Sequence, residues 1–369
     1  MAANPIYLGV IGVGGVGTAF LSQLARLPNA PKLILLARSS QTLLAPTPAY
    51  SAIPAADWAT ASAAPSLTKA GALPADEIAT YLAGAPGRAI LVDNTSDINL
   101  ARQYPTFLKK GISVVTPNKK GFSDDISLWK DIFSSAAQGK ALVYHESTVG
   151  AGLPVLSTLK DLVATGDEVT RIEGVFSGTL SFLFNTFAPA SGSSNAQWSA
   201  VVAQAKELGY TEPDPRDDLN GMDVARKLTI LARLAGLEVT SPDSFPIESL
   251  IPTELASLPS SADGISQFMT RLPEFDSQMS NIKDTAEKQG KVVRYVGSID
   301  VGAKNVTVGL QYFDKDSAIA GLKGSDNIIS FYTKRYGANP LIVQGAGAGG
   351  DVTAMGVSAD LLKVVERLQ

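Results

Sequence analysis

A two-domain α/β chain is predicted by three observations. The first lies at the amino terminus, where residues 6–12 are β-branched and apolar, Gly12-Val-Gly14-Gly15-Val16-Gly17 follows, and Thr18-Ala-Phe-Leu-Ser-Gln-Leu-Ala continues with helical spacing. The second is the recurrence of short apolar runs at 32–37, 88–93, 112–116 and 141–145, separated by helical stretches. Strands alternating with helices build a parallel sheet. The third is a change of pattern near residue 150, after which longer mixed helices and strands replace the glycine-rich turns. The expectation is a Rossmann dinucleotide-binding domain over 1–150, completed by the C-terminal segment 345–369, and a second α/β domain with a mixed sheet over 151–344.

Between the second and third strands, residues 39–88 are rich in Ala, Ser and Pro and read as a surface excursion with one short helix. Beyond 150, strands are expected at 168–176, 291–299, 305–313, 328–336 and 341–344, where β-branched and aromatic residues collect. The run Pro189-Ala-Ser-Gly-Ser-Ser-Asn is a loop by composition, 251–290 reads as helices joined by Pro and Ser turns, and 351–368 as a closing helix.

Composition narrows the chemistry. With 31 Lys plus Arg against 35 Asp plus Glu, the net charge of −4 offers no surface for a nucleic acid or an anionic membrane. Hydrophobic residues at 45% and charged ones at 18% describe a chain with enough apolar surface to bury two cores. Cys 0 and His 1 exclude disulfides, thiolate nucleophiles and Cys- or His-built zinc sites. No run approaches the roughly 20 apolar residues of a membrane span, and Met1-Ala-Ala-Asn-Pro lacks the basic start of a signal peptide, so a soluble, cytoplasmic protein is expected.

In the G-x-G-x-x-G pattern, Gly12 permits the tight turn, Gly14 lets the backbone approach a pyrophosphate, and Gly17 lets helix pack on strand. NAD is usually selected by a carboxylate about 20 residues further on. Here that place reads Leu36-Ala37-Arg38-Ser39-Ser40, with no carboxylate before Asp57. Arg38 and two hydroxyls suit a 2′-phosphate, which favours NADP with NAD as a second acceptor. The plain alternative is a solvated turn arginine.

The densest polar run is Gly209-Tyr210-Thr-Glu212-Pro-Asp214-Pro-Arg-Asp217-Asp218-Leu-Asn-Gly-Met-Asp223-Val-Ala-Arg-Lys227. Its prolines delay helix through Pro215, and helical spacing resumes around Leu219. Asp223 and Lys227 then meet at i and i+4 on a helix rich in Val and Leu. A lysine desolvated beside carboxylates is a candidate proton shuttle, whereas the plain reading is a surface ion pair. An oxidoreductase without cysteine or a histidine cluster must move its proton with Lys, Tyr or a carboxylate, which tilts the reading toward Lys227.

Seven segments together resemble the homoserine dehydrogenases, most closely the short monofunctional fungal form. They are Gly12 to Gly17, Asp93-Asn94-Thr95-Ser96, Thr116-Pro-Asn-Lys119-Lys, His145-Glu146-Ser-Thr-Val149-Gly-Ala151-Gly-Leu153-Pro, Ser177-Gly178-Thr179-Leu-Ser-Phe, Gly209 to Lys227, and Gln344-Gly-Ala-Gly-Ala-Gly349. The resemblance implies reversible NAD(P)-linked interconversion of L-homoserine and L-aspartate 4-semialdehyde, on the route to threonine and methionine. It implies catalytic roles for Lys227, Asp223 and Asp218, and substrate contacts from Glu212, which takes the amine, and from Tyr210, Gly178, Thr179 and Lys119. Gly12, Gly14, Gly15, Val16, Gly17, Asn94, Thr95, Ser96, Lys119 and Gly349 are implied to hold the cofactor, beside Arg38. Glu146 and the carbonyls of Val149, Ala151 and Leu153 are implied to hold a monovalent cation, sodium. The family also implies a homodimer, and the end at Gln369 implies no regulatory extension. His145 reads as a packed or hydrogen-bonded residue. Two other readings are an NADP-linked oxidoreductase of another amino-acid-like substrate and a non-catalytic NADP sensor.

Overall fold

In a computed structural model, residues 5–54, 57–64, 66–192 and 194–369 are described. Met1 to Asn4, Ala55, Ala56 and Pro65 of the expected excursion and Ser193 of the expected loop lie outside the described residues. The chain divides into two compact units, one from Met1–Leu156 with Ala348–Gln369, the other Ser157–Gly347.

The first unit runs β1 (Ile6–Ile11), α1 (Gly15–Leu24), β2 (Lys32–Ala37), β3 (Thr42–Leu44), α2 (Trp58–Ala63), β4 (Thr68–Ala70), α3 (Ala75–Ala83), β5 (Arg88–Asp93), α4 (Ile98–Ala101), α5 (Tyr104–Lys109), β6 (Ser113–Val115), α6 (Lys120–Ser123), α7 (Ile126–Gly139) and β7 (Val143–Tyr144). Its sheet has the order β4-β3-β2-β1-β5-β6-β7, parallel from β2 to β7. The central strands are apolar almost throughout, as a sheet covered on both faces requires, and five of six residues in β2 and in β5 are buried. The register Ile11↔Asp93 brings the ends of β1 and β5 side by side, so Gly12 and Asn94 emerge together.

The excursion differs from its expected single short helix. It holds two helices, α2 and α3, and two short strands that extend the sheet antiparallel. Strands of three residues are too short to show an alternation, and Ala-rich composition hides α3, whose Ile78, Ala79 and Leu82 are buried.

The second unit runs from α8 (Val155–Ala164), which starts in the first, through β8 (Val169–Val175), α9 (Gly178–Phe187), α10 (Trp198–Glu207), α11 (Arg216–Leu219), α12 (Met222–Leu234), α13 (Ala262–Arg271) and α14 (Asp276–Lys288) to β9 (Lys291–Asp300), β10 (Asn305–Asp314), β11 (Asp326–Thr333) and β12 (Leu341–Ala346). Its sheet, β10-β9-β8-β11-β12, is antiparallel at every pairing and not mixed. The short β9–β10 connection is a hairpin, and a hairpin can only join antiparallel strands. β11 stops at Thr333, short of the expected 336, because the chain turns there, with Gly337 at φ +66° donating to the Thr333 carbonyl. Val175, Val296, Ile319, Leu322 and Ile328 form one apolar cluster of this unit.

Finally α15 (Gly350–Leu368) returns to the first unit and packs on α1, where Gln23 donates to the Asp351 carbonyl and accepts from Ser358.

Candidate active site

In the first unit the glycine turn is shaped by what a side chain would hit. At Gly12 the backbone sits at φ +93°, its N–H donates to the Ala37 carbonyl at 3.0 Å, and a Cβ would lie 2.8 Å from Thr95 Cγ2. At Gly17 a Cβ would lie 2.0 Å from the Gly12 carbonyl oxygen, so helix and turn touch through glycine alone. Around Gly14 and Gly15 there is nothing within 4 Å of that position. Two glycines therefore close the turn and two leave room in front of it. α1 opens there with no side-chain cap and no acidic residue in its first turn, leaving its N–H groups to an anion. Val16 stands in that first turn. Gly349, at φ +110° with open space around it, caps α15, and a Cβ on its neighbour Gly350 would stand 3.5 Å from the Gly15 carbonyl.

The Asp93-Asn94-Thr95-Ser96 loop is held from below. Asp93 is fully buried, and its carboxylate accepts from the Thr95 N–H at 2.7 Å, from Asn118 Nδ2 at 3.1 Å and from the Tyr104 hydroxyl. Burial pushes its pKa up, against those hydrogen bonds. Thr116 Oγ1 donates to the Asp93 carbonyl at 2.7 Å, and Asn118 Nδ2 also reaches the Asp97 carbonyl at 3.0 Å. Tyr104 escaped the sequence reading, and Thr116 and Asn118, though part of a singled-out segment, were given no role, since their partners lie 11 to 25 residues away. Asn94 keeps both buried amide atoms without a hydrogen-bond partner beside the glycine turn. Such orphaned polar atoms fit a ligand that supplies their partners. Lys119, half-buried, caps α6 and accepts through its carbonyl from the N–H groups of Phe122 and Ser123.

At the end of β2, a groove of about 500 Å³ is lined by Arg38, Ser39, Thr42, Leu73, Asp76 and Asp97, among others. Open space before a helix N-terminus, an orphaned amide and a groove at the strand end that holds Arg38 together fit a dinucleotide.

The turn after β7 carries the residues expected around a cation. Glu146 is 8% exposed, its Oε1 accepts from the Leu156 N–H at 2.7 Å, and its own N–H donates to Asp360 Oδ2 at 2.8 Å. Asp360, which sequence reasoning missed, is pushed up to about 6 by burial. Gly150 and Ala151 both sit at positive φ, +78° and +53°, in the turn that contains Val149, Ala151 and Leu153, where the Leu153 carbonyl accepts from the Val155 N–H at 2.8 Å. One buried carboxylate with turn carbonyls is an all-oxygen donor set, which fits a hard monovalent cation. His145 is fully buried and stacks on Phe122 with ring centroids 3.9 Å apart.

The second unit gathers side chains. α9 starts from Ser177, whose hydroxyl accepts from the Leu180 N–H, and this places Gly178 and Thr179 in its first turn. The Thr179 hydroxyl lies 2.6 Å from the Tyr210 carbonyl and 2.9 Å from Asp218 Oδ1, and Asp218 Oδ2 accepts from the Glu212 N–H at 2.8 Å. Asp218 thus ties α9, the Tyr210–Glu212 loop and α11 into one cluster. Burial raises its pKa, and the nearby charges of Glu212 and Asp223 add to the rise. Tyr210, 45% exposed, rests edge-on against Phe182, and the Glu212 side chain is exposed.

Helix arrives earlier than expected and in two pieces. α11 begins at Arg216, directly after Pro215, because Arg216 pairs with Asp214 at 2.6 Å and donates to the Leu258 and Pro259 carbonyls. It ends at Leu219, and Gly221, at φ +76°, separates it from α12 where a Cβ would lie 2.1 Å from the Tyr295 hydroxyl oxygen. α12 then carries Asp223 and Lys227. Lys227 is 7% exposed, its Nζ donates to the Phe176 carbonyl at 2.6 Å and pairs with Asp223 Oδ2 at 2.7 Å. A solvated surface pair it is not: the lysine is buried and its partner half-exposed, so the ammonium sits at the inner end of the pair.

Matches to family models cover both units: "Homoserine dehydrogenase, NAD binding domain" over residues 12–146, and "Homoserine dehydrogenase" over 154–362. The chain belongs to the homoserine dehydrogenase family. It is 85% identical over 365 residues to the homoserine dehydrogenase of Emericella nidulans, covering 99% of both chains, and 48% identical over 371 residues to that of Saccharomyces cerevisiae, covering 100% of both. Among solved structures, a Candida auris protein of unknown function matches with TM-score 0.92 at 48% identity over 99% of both chains. A hyperthermophilic archaeal homoserine dehydrogenase solved in complex with NADPH matches at TM-score 0.70 and 20% identity over 99% of both chains, a likeness of fold. An enzyme of this family is an NAD(P)-dependent oxidoreductase acting on a CH–OH group, and that is the class of this chain. The match speaks against both other readings, the different substrate and the non-catalytic sensor. No helix of the described residues is long and apolar enough to cross a membrane.

Proposed function

We propose that the chain interconverts L-homoserine and L-aspartate 4-semialdehyde reversibly, with NADP preferred over NAD, in the cytoplasmic synthesis of threonine and methionine, and that it works as a homodimer. The observation that carries the reading is the buried Lys227 amine, fixed between the Phe176 carbonyl and Asp223, in the same unit as the Asp218–Thr179–Glu212 cluster.

Homoserine is a zwitterion with an alcohol at its far end, so its site needs an anion, hydrogen-bond donors and a base. Glu212 offers an exposed carboxylate to the ammonium. The N–H groups at the start of α9, around Gly178 and Thr179, together with Tyr210 and Lys119, serve its carboxylate and orientation. Lys227, as the free amine, takes the hydroxyl proton when the alcohol is oxidised and returns it to the carbonyl oxygen in reduction, while Asp223 holds the amine in place. Asp218 fixes the loop that carries Glu212. A bound nicotinamide would accept the hydride. Gly12, Gly14, Gly15, Val16, Gly17, Asn94, Thr95, Ser96, Lys119 and Gly349 would hold that dinucleotide, with Arg38 at its 2′-phosphate. Glu146 and the carbonyls of Val149, Ala151 and Leu153 would hold a sodium ion that braces the turn after β7.

The test is the initial rate of nicotinamide reduction with L-homoserine, run in parallel with NADP and NAD. Turnover with both and the higher kcat/KM with NADP is the expected result. Absence of turnover with either, despite cofactor binding, would overturn the substrate.

A further inference from the structure

The excursion 39–88 corresponds to none of the motifs that carry the family resemblance, yet it ends against the cofactor groove. Arg38 is the first residue after β2, and its N–H closes a turn onto the Gln41 carbonyl at 2.8 Å, with Ser39 and Ser40 between them. Its side chain is exposed, and among the described residues the guanidinium makes neither an ion pair nor a hydrogen bond. What it does touch is an indole: the guanidinium carbon lies 4.8 Å from the centroid of the Trp58 ring, inside the range of a cation–π contact. Trp58 is the first residue of α2, and that helix start is fixed by Asp57, whose carboxylate accepts from the Thr60 N–H at 2.6 Å. The groove beside them is also lined by Asp76 and Asp97. An arginine free to swing could reach toward those carboxylates. An arginine laid on a ring keeps all its N–H donors for a ligand, because cation–π attraction uses the guanidinium's face and not its edges.

We propose that Trp58 is a positioning residue for cofactor choice, stacking on Arg38 so that the guanidinium is preset for the 2′-phosphate of NADP. The proposal rests on the reading that Arg38 meets that phosphate. Its physical content is preorganisation: ordering a long side chain before binding removes a cost that would otherwise fall on the phosphate contact, at no change to the rest of the dinucleotide site. The excursion thereby acquires a use, since it delivers an indole to the residue at the end of β2.

The test is titration calorimetry of the full chain with adenosine 2′,5′-bisphosphate and with 5′-AMP, which differ by the 2′-phosphate alone. Wild type is expected to favour the bisphosphate by about ten- to a hundredfold, the scale of a charge-assisted bidentate contact. Arg38→Ala collapses that ratio toward one. Trp58→Leu lowers it by about two- to fivefold, the scale of an exposed cation–π contact, leaves 5′-AMP affinity unchanged, and Trp58→Phe restores most of the loss. Trp58→Gln is a second ring-free variant with the same expected loss, should the leucine variant not fold. A lowered ratio in Arg38→Ala with an unchanged ratio in the ring-free variants overturns the role of Trp58 and leaves Arg38 standing. An unchanged ratio in Arg38→Ala overturns both. Equal loss for the two ligands in the Trp58 variants makes the ring merely structural and also overturns the proposal.

Discussion

The two units build their sites from different parts of the chain. In the first, the groups offered to a ligand are largely backbone: open space at Gly14 and Gly15, the uncapped start of α1, and a glycine contact between Gly12 and Gly17 too close for any side chain. In the second, they are side chains of α9, α11 and α12 held against one another and against the carbonyls of Phe176 and Tyr210. The backbone turn tolerates no side chain at Gly12 or Gly17, whereas a side-chain site can lose one member and keep its shape.

The comparison can be broken most severely at Gly17. An added methyl would meet the Gly12 carbonyl oxygen at 2.0 Å, so Gly17→Ala is expected to weaken NADP binding about a hundredfold or more, the upper end of overpacking costs, as read by fluorescence titration. Binding within a factor of two of wild type would mean that the turn relaxes and is not a steric lock.

A smaller effect is expected in the second unit from Asp218→Asn. Removing the charge that accepts from the Glu212 N–H should lower kcat/KM by about ten- to a hundredfold while folding persists. Burial raises the Asp218 pKa above its ordinary value, so the acid limb of the kcat/KM profile should lie above the ordinary aspartate range and flatten in the variant. The sign for stability follows from the same shift. Between the unfolded and folded pKa values the folded chain binds more protons, so this group's contribution falls as pH rises and its full cost is present above the folded pKa. A limb that stays in place in Asp218→Asn would assign it to another group.

The mildest effect concerns the turn after β7. Sodium chloride, compared with choline chloride at equal ionic strength, should raise Tm for wild type and not for Glu146→Gln. Equal responses of the two proteins would remove Glu146 from the proposed cation site.

These contrasts also explain what the sequence made legible. The glycine turn announces itself because steric exclusion acts between residues close in sequence, so a fixed spacing records it. The Asp223–Lys227 pair is legible for the same reason, one helical turn apart. The Phe176 carbonyl that receives Lys227 Nζ lies 51 residues away and carries no side-chain signature, and Asp218 reaches Thr179 across 39 residues. Tyr104, which bonds Asp93, and Asp360, which accepts from the Glu146 N–H across 214 residues, are equally silent. In the fold, the long apolar strands of the first sheet are plain, while three-residue β3 and β4 and the antiparallel sense of the second sheet depend on pairing that composition does not encode. The break between α11 and α12 was hidden because Gly221 answers to Tyr295, far along the chain.

The central claim is that Lys227, and not a group of the glycine turn, moves the proton. Its most direct test pairs the initial rate of NADP reduction by L-homoserine with an NADP binding isotherm for Lys227→Ala. The account predicts wild-type binding and a kcat lower by about 10²–10⁴-fold, the range of a lost general acid–base. A kcat within threefold of wild type would contradict it.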